Sequence, residues 1–428
     1  MWIYNLISFF GIFFLIFIAY IFSKDRKNIN YRVVFWGIFL QFLFAFFLLK
    51  IRFGILLFSL VNRFVIKILS FANVGSYFVF GPLSISPSNT GPLGEKSLGF
   101  ILAFQGLLTV IFFSSLMALL YEIGIMQKIT GLFSKIFSKS MKISGAESFC
   151  SASNIFVGIE SFFTIKPYLA GMTPSELCTI LTASMATIAS TVMGVYVSFL
   201  SKDFPTIAGH LALASILSAP AAILFSKILY PEDKTPKTLS ENVCIDYKKH
   251  NSVIAAIING SYDGVKLLVG IIALLISFLG LLAMFNYIIG FIFRLIGNFF
   301  GINLELSLEK ILSFIFYPFT FFMGVPLEDI PKVSKLLGER IILTELVSYK
   351  HLSEYIITKE IVNLRSVVLA SYALCGFSHI ASLAIFVGGL VSLIPDRTKE
   401  IASLGIRALF ASNLACLLTG CVVGVFFL

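Results

Sequence analysis

The chain has 428 residues, of which 58% are apolar and only 13% are charged, and its mean hydropathy is +0.96. Soluble domains carry about 25% charged residues, so this composition excludes an ordinary soluble domain and predicts a polytopic membrane protein. The net charge of +10 lies in short loops beside apolar segments. It therefore indicates membrane orientation rather than binding to nucleic acid. The six cysteines show no CxxC or Cys/His spacing, so neither a disulfide framework nor a metal centre is predicted.

The N-terminal region predicts two membrane spans and one ambiguous segment. Residues 2–22 and 33–49 are each apolar over about the 20 residues that one crossing needs, and the basic loop 23–32 between them marks the cytoplasmic side. Residues 2–22 lack a basic leading region and an A-x-A site, so we interpret them as a first span and not as a signal peptide. Residues 51–82 are apolar but interrupted by basic residues, and we interpret them as an interfacial helix plus a loop, with a further span as the alternative. The interrupting residues are Arg52, Arg63 and Lys67.

Two later blocks, residues 145–167 and 326–357, lie among apolar spans but are too polar to cross lipid as single helices. Irregular or charged backbone at membrane depth is tolerated only where it is buried in protein or lines a cavity, so both blocks are predicted to be re-entrant hairpins. Amphipathic pieces at 128–142 and 306–323 precede them and are predicted to lie in the membrane interface. The remaining predicted spans are 98–120, 175–200, 205–229, 265–293, 367–395 and 406–428, and residues 230–263 are predicted to form the longest polar loop, on the cytoplasmic side. The expected fold is an all-α polytopic membrane protein with about eight transmembrane helices, two re-entrant helical hairpins and both termini outside.

The two blocks share one order of elements, which predicts an internal repeat. Each has an interfacial helix, a charged hairpin, a span broken by small and polar residues, and a closing span. The broken spans also share the letters I-A-S, at Thr187-Ile188-Ala189-Ser190 and at His379-Ile380-Ala381-Ser382. An odd number of crossings between the blocks makes the repeat inverted, which is an architecture of many secondary transporters. We therefore divide the chain into N-terminal membrane helices with an interfacial segment (1–97), a first scaffold helix and repeat (98–264), and a second (265–428).

In the first repeat, Glu147, Asn154 and Glu160 lie at predicted membrane depth. Ionisable groups there are costly unless they face protein, water or a ligand. Glu160 is the first candidate for a ligand contact, and the alternative is a carboxylate paired with Lys166 or with the cytoplasmic headgroups. Asn154 precedes Val157-Gly158 in a stretch where unwound backbone could offer oxygens to a small hard cation; the alternative is a structural asparagine.

In the second repeat, Glu345 is flanked only by apolar and hydroxyl residues. It is a candidate ligand for a polar substrate group, and the alternative is an ion pair with Arg340. His379 and Ser382 are three residues apart and share one helix face. His379 could equally be hydrogen-bonded within the bundle, and Phe377 could stack on a planar ligand or pack against its neighbours.

Four stretches in this order resemble the concentrative nucleoside transporters. They are S-G-A-E-S…A-S-N-I-F-V-G at 144–158, M-G-V-P-L-E-D at 323–329, G-E-R-I-I-L-T-E-L-V-S-Y at 338–349 and S-Y-A-L-C-G-F at 371–377. The third is similar to the family signature G-x-K-x-x-x-N-E-F-V-A. The resemblance extends from about residue 99 to the C-terminus, and more loosely before that.

The resemblance implies a homotrimer in the inner (plasma) membrane, with a mobile transport domain in each protomer and uptake driven by a sodium or proton gradient. It implies no cofactor and no enzymatic activity, only a nucleoside-like small molecule and a coupling ion. The implied base contacts are Glu160 and Val192. The implied sugar contacts are Glu345, Phe377, His379 and Ser382. The implied sodium ligands are oxygens of Asn154, Val157, Thr187 and Ile188.

Three departures from the family pattern also fall on candidate substrate residues. The family's G-Q-[ST]-E is shortened by one residue to Gly158-Ile159-Glu160, so its glutamine is absent, and Thr344 and His379 each stand where the family has asparagine. Sites built to hydrogen-bond a polar edge reject ligands without it, so these changes predict an altered specificity. The alternatives are a different polar metabolite on the same fold, proton coupling, or a membrane-embedded enzyme using Glu160, Glu345 and His379.

Overall fold

The computed structural model describes residues 2–85, 90–91, 94–239, 252–300 and 307–427. For residues 295–300 it describes the backbone and not the side chains. Within these ranges the regular structure is helical, apart from two isolated β-bridges. The predicted all-α fold is confirmed.

The N-terminal region contains α1 (Trp2–Ile21), α2 (Tyr31–Lys50) and α3 (Arg52–Phe80). Helix α3 is continuous, so the interpretation of 51–82 as a helix plus a loop is wrong in its second part. The helix is long and apolar enough to cross a membrane. Its three basic residues nevertheless lie on one face of the helix, because they are spaced eleven and four residues apart. Its buried residues lie on a different face. A basic face of this kind is typical of a helix in the membrane interface, and that position stays a prediction.

The first repeat consists of short helices around one long closing helix. They are α4 (Leu102–Gln105), α5 (Thr109–Glu122), α6 (Ile125–Met141), α7 (Gly145–Ser153), α8 (Ser161–Thr164), α9 (Lys166–Leu169), α10 (Pro174–Ala186), α11 (Ser190–Leu200) and α12 (Ile207–Leu229). Helices α7 to α9 form the first hairpin, and α10 and α11 are the two halves of one broken span. Local sequence fixes the start of α10, because Thr173 and Glu176 form a capping box around Pro174 in the first turn.

The second repeat follows the same plan. Its helices are α13 (Val253–Phe300), α14 (Leu308–Phe322), α15 (Ile330–Ile342), α16 (Glu345–Ile357), α17 (Leu364–Leu374), α18 (Ile380–Leu393) and α19 (Thr398–Phe426). Helices α15 and α16 form the second hairpin, and α17 and α18 are a broken span. Helix α13 begins before the predicted end of the polar loop at 263, and the predicted boundary at 264/265 falls inside it. Part of that loop, 240–251, lies outside the described residues.

Eight helices in the described residues are long and apolar enough to span a membrane. The number matches the prediction, but the members differ. Helix α3 is one of the eight, whereas the predicted span 367–395 is absent because it is divided into two shorter apolar helices. The break in that span and the break between α10 and α11 are the places where the candidate site forms.

Helices α5 and α13 pack very closely beside the site. A Cβ atom on Gly260 would lie 2.8 Å from the carbonyl oxygen of Ser114, and one on Gly264 would lie 2.6 Å from the Cα of Ile111. The hydroxyl groups of Ser115 and Ser261 are 2.7 Å apart across the same contact. Small residues four apart permit this approach of two apolar helices in a membrane, so α5 and α13 form a tight pair.

Candidate functional site

All nine residues proposed from the sequence to contact substrate line one cavity of about 130 Å³. The cavity lies between the two hairpins and the two broken spans. Its lining includes Gly158, Ile159, Glu160, Val192, Thr344, Glu345, Phe377, His379 and Ser382. Most of the remaining wall is apolar, with Leu267, Ile271 and Leu275 of α13 on one side. A few convergent polar groups in an apolar cavity are the usual composition of a small-molecule site.

Two side chains from other elements hold the carboxylate of Glu345. The hydroxyl of Tyr196 donates to Oε1 at 2.6 Å, and Nε2 of His379 lies 2.8 Å from Oε2. Glu345 and His379 are both buried. Glu345 begins α16, Tyr196 lies in α11 and His379 caps α18, so this network joins both repeats at the end of the cavity.

The ring of His379 is fixed by its position at the N-terminus of α18. Its Nδ1 accepts the backbone N–H of Ser382 at 3.3 Å, which places the proton of the neutral imidazole on Nε2. That Nε2–H faces Glu345 and also lies 2.7 Å from the hydroxyl of Ser382. The one N–H of His379 is therefore used within this network, where the ring contacts Ser382 and lies against the carboxylate of Glu345. The hydroxyl oxygen of Thr344 is buried there without a hydrogen-bond partner among the described residues, which leaves it free for a ligand.

The alternative ion pair between Glu345 and Arg340 is wrong. The guanidinium donates instead to the carbonyl oxygen of Ala373 and to Oδ1 of Asn413. The reason is geometric: α15 ends at Ile342 and α16 begins at Glu345. The chain turns between the two side chains, and they belong to different helices.

At the other end of the cavity, Glu160 is exposed and its Oε2 accepts the backbone N–H of Gly158 at 3.0 Å. Glu160 does not pair with Lys166, so the alternative ion pair between these two residues is also wrong. Glu160 lies where the inner cavity opens into a vestibule of about 510 Å³. The vestibule is lined by the first hairpin and by the α5–α13 pair, including Lys166, Asn259 and Asp263.

Glu147 lies outside this cavity and anchors the first hairpin. It is fully buried, and its Oε1 is 2.7 Å from Nζ of Lys227 in α12. Lys227 is also buried and lies 3.2 Å from Glu232. Removing one partner from a buried ion pair is strongly destabilising, so we assign this pair to holding the hairpin in place.

The four proposed sodium ligands lie at two neighbouring helix ends. Asn154 caps the C-terminus of α7 and Thr187 caps the C-terminus of α10. The two segments touch, because the backbone N–H of Ser190 donates to the carbonyl oxygen of Phe156 at 2.9 Å. No described residue hydrogen-bonds the carbonyl oxygens of Val157 or Ile188. Unpaired carbonyls and the negative end of the helix dipole favour a cation at such a place.

Two groups of residues at this site are not predicted from the sequence. Tyr196 lies in the apolar run G-V-Y-V, and its contact with Glu345 spans 149 residues. Asn259 and Asp263 were assigned to a polar loop, whereas they lie in α13 and line the vestibule. Asn259 and Asp263 are four residues apart, a spacing that places both on one face of a helix. This pattern could have identified them.

Three family profiles match the chain. "Na+ dependent nucleoside transporter C-terminus" matches residues 210–424, "Na+ dependent nucleoside transporter N-terminus" matches residues 10–83, and "Nucleoside recognition" matches residues 103–203. The first match alone covers half of the chain, and all three lie in different parts of it.

Similar proteins and similar structures agree with these matches. Solute carrier family 28 member 3 of Mus musculus is 38% identical over 435 residues, covering 98% of this chain and 59% of that protein. Sodium/nucleoside cotransporter 1 of Rattus norvegicus is 34% identical over 437 residues, covering 99% and 64%. The chain thus spans about three fifths of the length of such relatives.

Two solved structures of CNTnw are each 32% identical to this chain. The inward-facing, substrate-bound state has a TM-score of 0.87 and covers 99% of this chain and 98% of that one. An outward-facing double variant has a TM-score of 0.86 and covers 99% and 97%. The chain therefore belongs to the family of Na+ dependent nucleoside transporters.

Proposed function

We propose that this protein is a multi-pass plasma-membrane symporter that takes up nucleosides together with sodium by alternating access. The observation that carries the proposal is the single cavity between the two hairpins, in which nine residues from both repeats meet. An apolar wall together with a few polar groups suits a ligand with a flat base and a hydroxylated sugar.

In this proposal, Val192 and Glu160 face the base. The sugar lies at the opposite end, against Glu345, Phe377 and His379, with Thr344 beside them. A carboxylate accepts hydrogen bonds from sugar hydroxyls, and Tyr196 holds that carboxylate in position. Thr344 and His379 stand where the family pattern has asparagine, and their side chains form different hydrogen bonds. They therefore determine which sugar substituents the site accepts.

The coupling ion acts on the first hairpin. A sodium ion bound by oxygens of Asn154, Val157, Thr187 and Ile188 joins the end of α7 to the break between α10 and α11. It therefore orders Gly158, Ile159 and Glu160, which follow directly in the chain and line the cavity. Substrate then binds a preorganised site, which produces positive coupling between the two ligands.

The direction in which the cavity opens supports an inward-facing state. The vestibule contains Tyr121 near the end of α5 and Asn259 near the start of α13, and both helix ends lie on the predicted cytoplasmic side. Alternating access requires movement that closes this vestibule and opens the other side. The closely packed α5–α13 pair is the proposed fixed part, and the homotrimer and the division of the chain into two repeats belong to the same proposal.

Uptake into proteoliposomes tests the function. Radiolabelled uridine, adenosine and guanosine are supplied with an inward sodium gradient, with choline in place of sodium, and with a proton gradient alone. We expect uptake of at least one nucleoside that requires the sodium gradient. Uptake driven only by protons would overturn sodium coupling, and no uptake of any nucleoside under any gradient would overturn the function.

A further inference from the structure

Arg340 is a fully buried cation without an acidic partner among the described residues. The neighbouring carboxylate of Glu339 lies 2.8 Å from His351 and 3.6 Å from Lys335 instead. The Nε of Arg340 has no hydrogen-bond acceptor among the described residues. A buried charge is costly unless it is compensated, so the dipoles around this guanidinium must supply its stabilisation.

The guanidinium lies at the break between α17 and α18. It donates to the carbonyl oxygen of Ala373, in the last turn of α17, and to Oδ1 of Asn413 in α19. The amide of Asn413 in turn donates to the carbonyl oxygen of Ser378 at 3.2 Å. Arg340 is thus connected to a backbone carbonyl at the end of α17 and, through Asn413, to one within the break. The last carbonyls of a helix lack intrahelical partners and carry the negative end of its dipole.

The two repeats place different chemistry near the end of the first hairpin helix. In each, the end of the first hairpin helix brings a side chain to the region where the next span breaks: Asn154 at the end of α7, and Arg340 in the last turn of α15. The breaks are adjacent, because the backbone N–H of Phe377 faces the carbonyl oxygen of Thr187 at 3.4 Å. The asparagine is neutral and leaves the negative helix ends uncompensated, whereas the arginine brings its own charge.

We propose that the guanidinium of Arg340 is a built-in cation that occupies, in the second repeat, the place a sodium ion takes in the first. Each protomer then binds one sodium ion, because the second break already contains its cation. This inference rests on the proposed sodium coupling and adds its stoichiometry.

The test measures the thermal unfolding midpoint of the purified full chain while NaCl replaces choline chloride at constant ionic strength. The variants are Arg340→Ala, Arg340→Lys and, as a matched control, Arg365→Ala. Arg365 is another buried arginine that donates to backbone carbonyls, at 2.7 Å to Gly324 and 3.0 Å to Gly424, away from either break. We expect the Hill coefficient for sodium stabilisation to rise from about 1 in the native protein to about 2 in Arg340→Ala.

Further results separate a built-in cation from a simple packing contact. Arg340→Lys should keep the native sodium dependence, millimolar methylguanidinium should restore the midpoint of Arg340→Ala, and Arg365→Ala should lose stability with an unchanged sodium dependence. The proposal is overturned if Arg340→Ala responds to sodium as the native protein does and methylguanidinium has no effect, or if Arg365→Ala shows the same gain.

If Arg340→Ala does not fold, direct counting of bound ²²Na⁺ on the native protein decides. One ion per protomer supports the proposal, and two ions overturn it. Failure of the proposed function is distinguishable, because absent nucleoside uptake by the native protein would leave the methylguanidinium rescue of Arg340→Ala intact.

Discussion

The two carboxylates of the cavity, Glu345 and Glu160, are held in opposite ways. Glu345 is buried: the hydroxyl of Tyr196 donates to one of its oxygens, and Nε2 of His379 lies 2.8 Å from the other. Glu160 is exposed toward the vestibule, and a single backbone N–H donates to it. One end of the cavity is therefore preorganised before the ligand arrives, and the other end is free to adjust.

This difference indicates how the two ends divide recognition. A carboxylate whose geometry is already fixed loses little entropy when it binds a hydroxyl group, so it contributes more affinity and stricter selectivity. An exposed carboxylate interacts in water and contributes less. Strict recognition is therefore expected for the sugar, and tolerance for the base.

The largest expected effect is that of Glu345→Gln, which should abolish nucleoside uptake. The amide directs an N–H₂ group at one of the two donors and removes the negative charge. Hydrogen bonds to a charged group are worth about 1.5–3 kcal/mol each, so losing several lowers uptake by about a hundredfold or more. Initial uptake rates in proteoliposomes measure this, and the unfolding midpoint serves as the control for folding. A variant that is folded and still takes up nucleoside would remove Glu345 from the site.

Tyr196→Phe should lower uptake about tenfold, because it removes one charged hydrogen bond of about 1.4 kcal/mol or more. Tyr349→Phe is the matched control. Tyr349 is stacked on Tyr196 with ring centroids 4.6 Å apart, but its hydroxyl donates to the carbonyl oxygen of Ser371. Removing that hydroxyl should lower the unfolding midpoint and leave the KM for nucleoside unchanged. Equal effects of both changes on KM would show that Tyr196 acts through packing alone.

His379→Asn should change selectivity more than it changes rate. Asparagine offers both a donor and an acceptor, whereas the imidazole here presents only Nε2–H. We expect the ratio of uridine to 2′-deoxyuridine uptake to shift by about tenfold, since one hydroxyl group, and so one hydrogen bond, separates the two ligands. His351→Asn is the control, because His351 lies outside the cavity and contacts Glu339 instead. An unchanged ratio would contradict a role of His379 in reading the sugar.

The smallest effect is expected for Glu160→Gln. Because this side chain is exposed and has one backbone donor, the change should raise the KM by only about two- to fivefold, in the range of exposed ion pairs. The ratio of purine to pyrimidine uptake should shift along with it. A loss as large as that of Glu345→Gln would remove the proposed difference between the two ends.

Much of this site follows from local sequence. Glycine and small polar residues within apolar runs predicted the two hairpins, and the repeated I-A-S letters marked the two breaks where the cavity forms. The contacts that determine the chemistry are not local. Tyr196 is hidden in an apolar run and meets Glu345 only after folding, and Arg340 is near Glu345 in sequence but separated from it by the turn between α15 and α16.

The long apolar helices were harder to place than the polar breaks. Basic residues interrupt the apolar pattern of residues 51–82, yet helix α3 is continuous. The reason is that long basic side chains can extend to water from a continuous helix. Residues 253–263 are likewise predicted to belong to a polar loop, whereas they form the start of helix α13. Composition alone does not separate an amphipathic helix from a connection.

Calorimetry of nucleoside binding to the purified protein, in sodium and in choline buffer, tests the central claim most directly. The native protein should bind nucleoside in sodium, bind it more weakly in choline, and lose binding in the Glu345→Gln variant. Equal binding in both buffers, or full binding by Glu345→Gln, would contradict a sodium-coupled nucleoside site between the two hairpins.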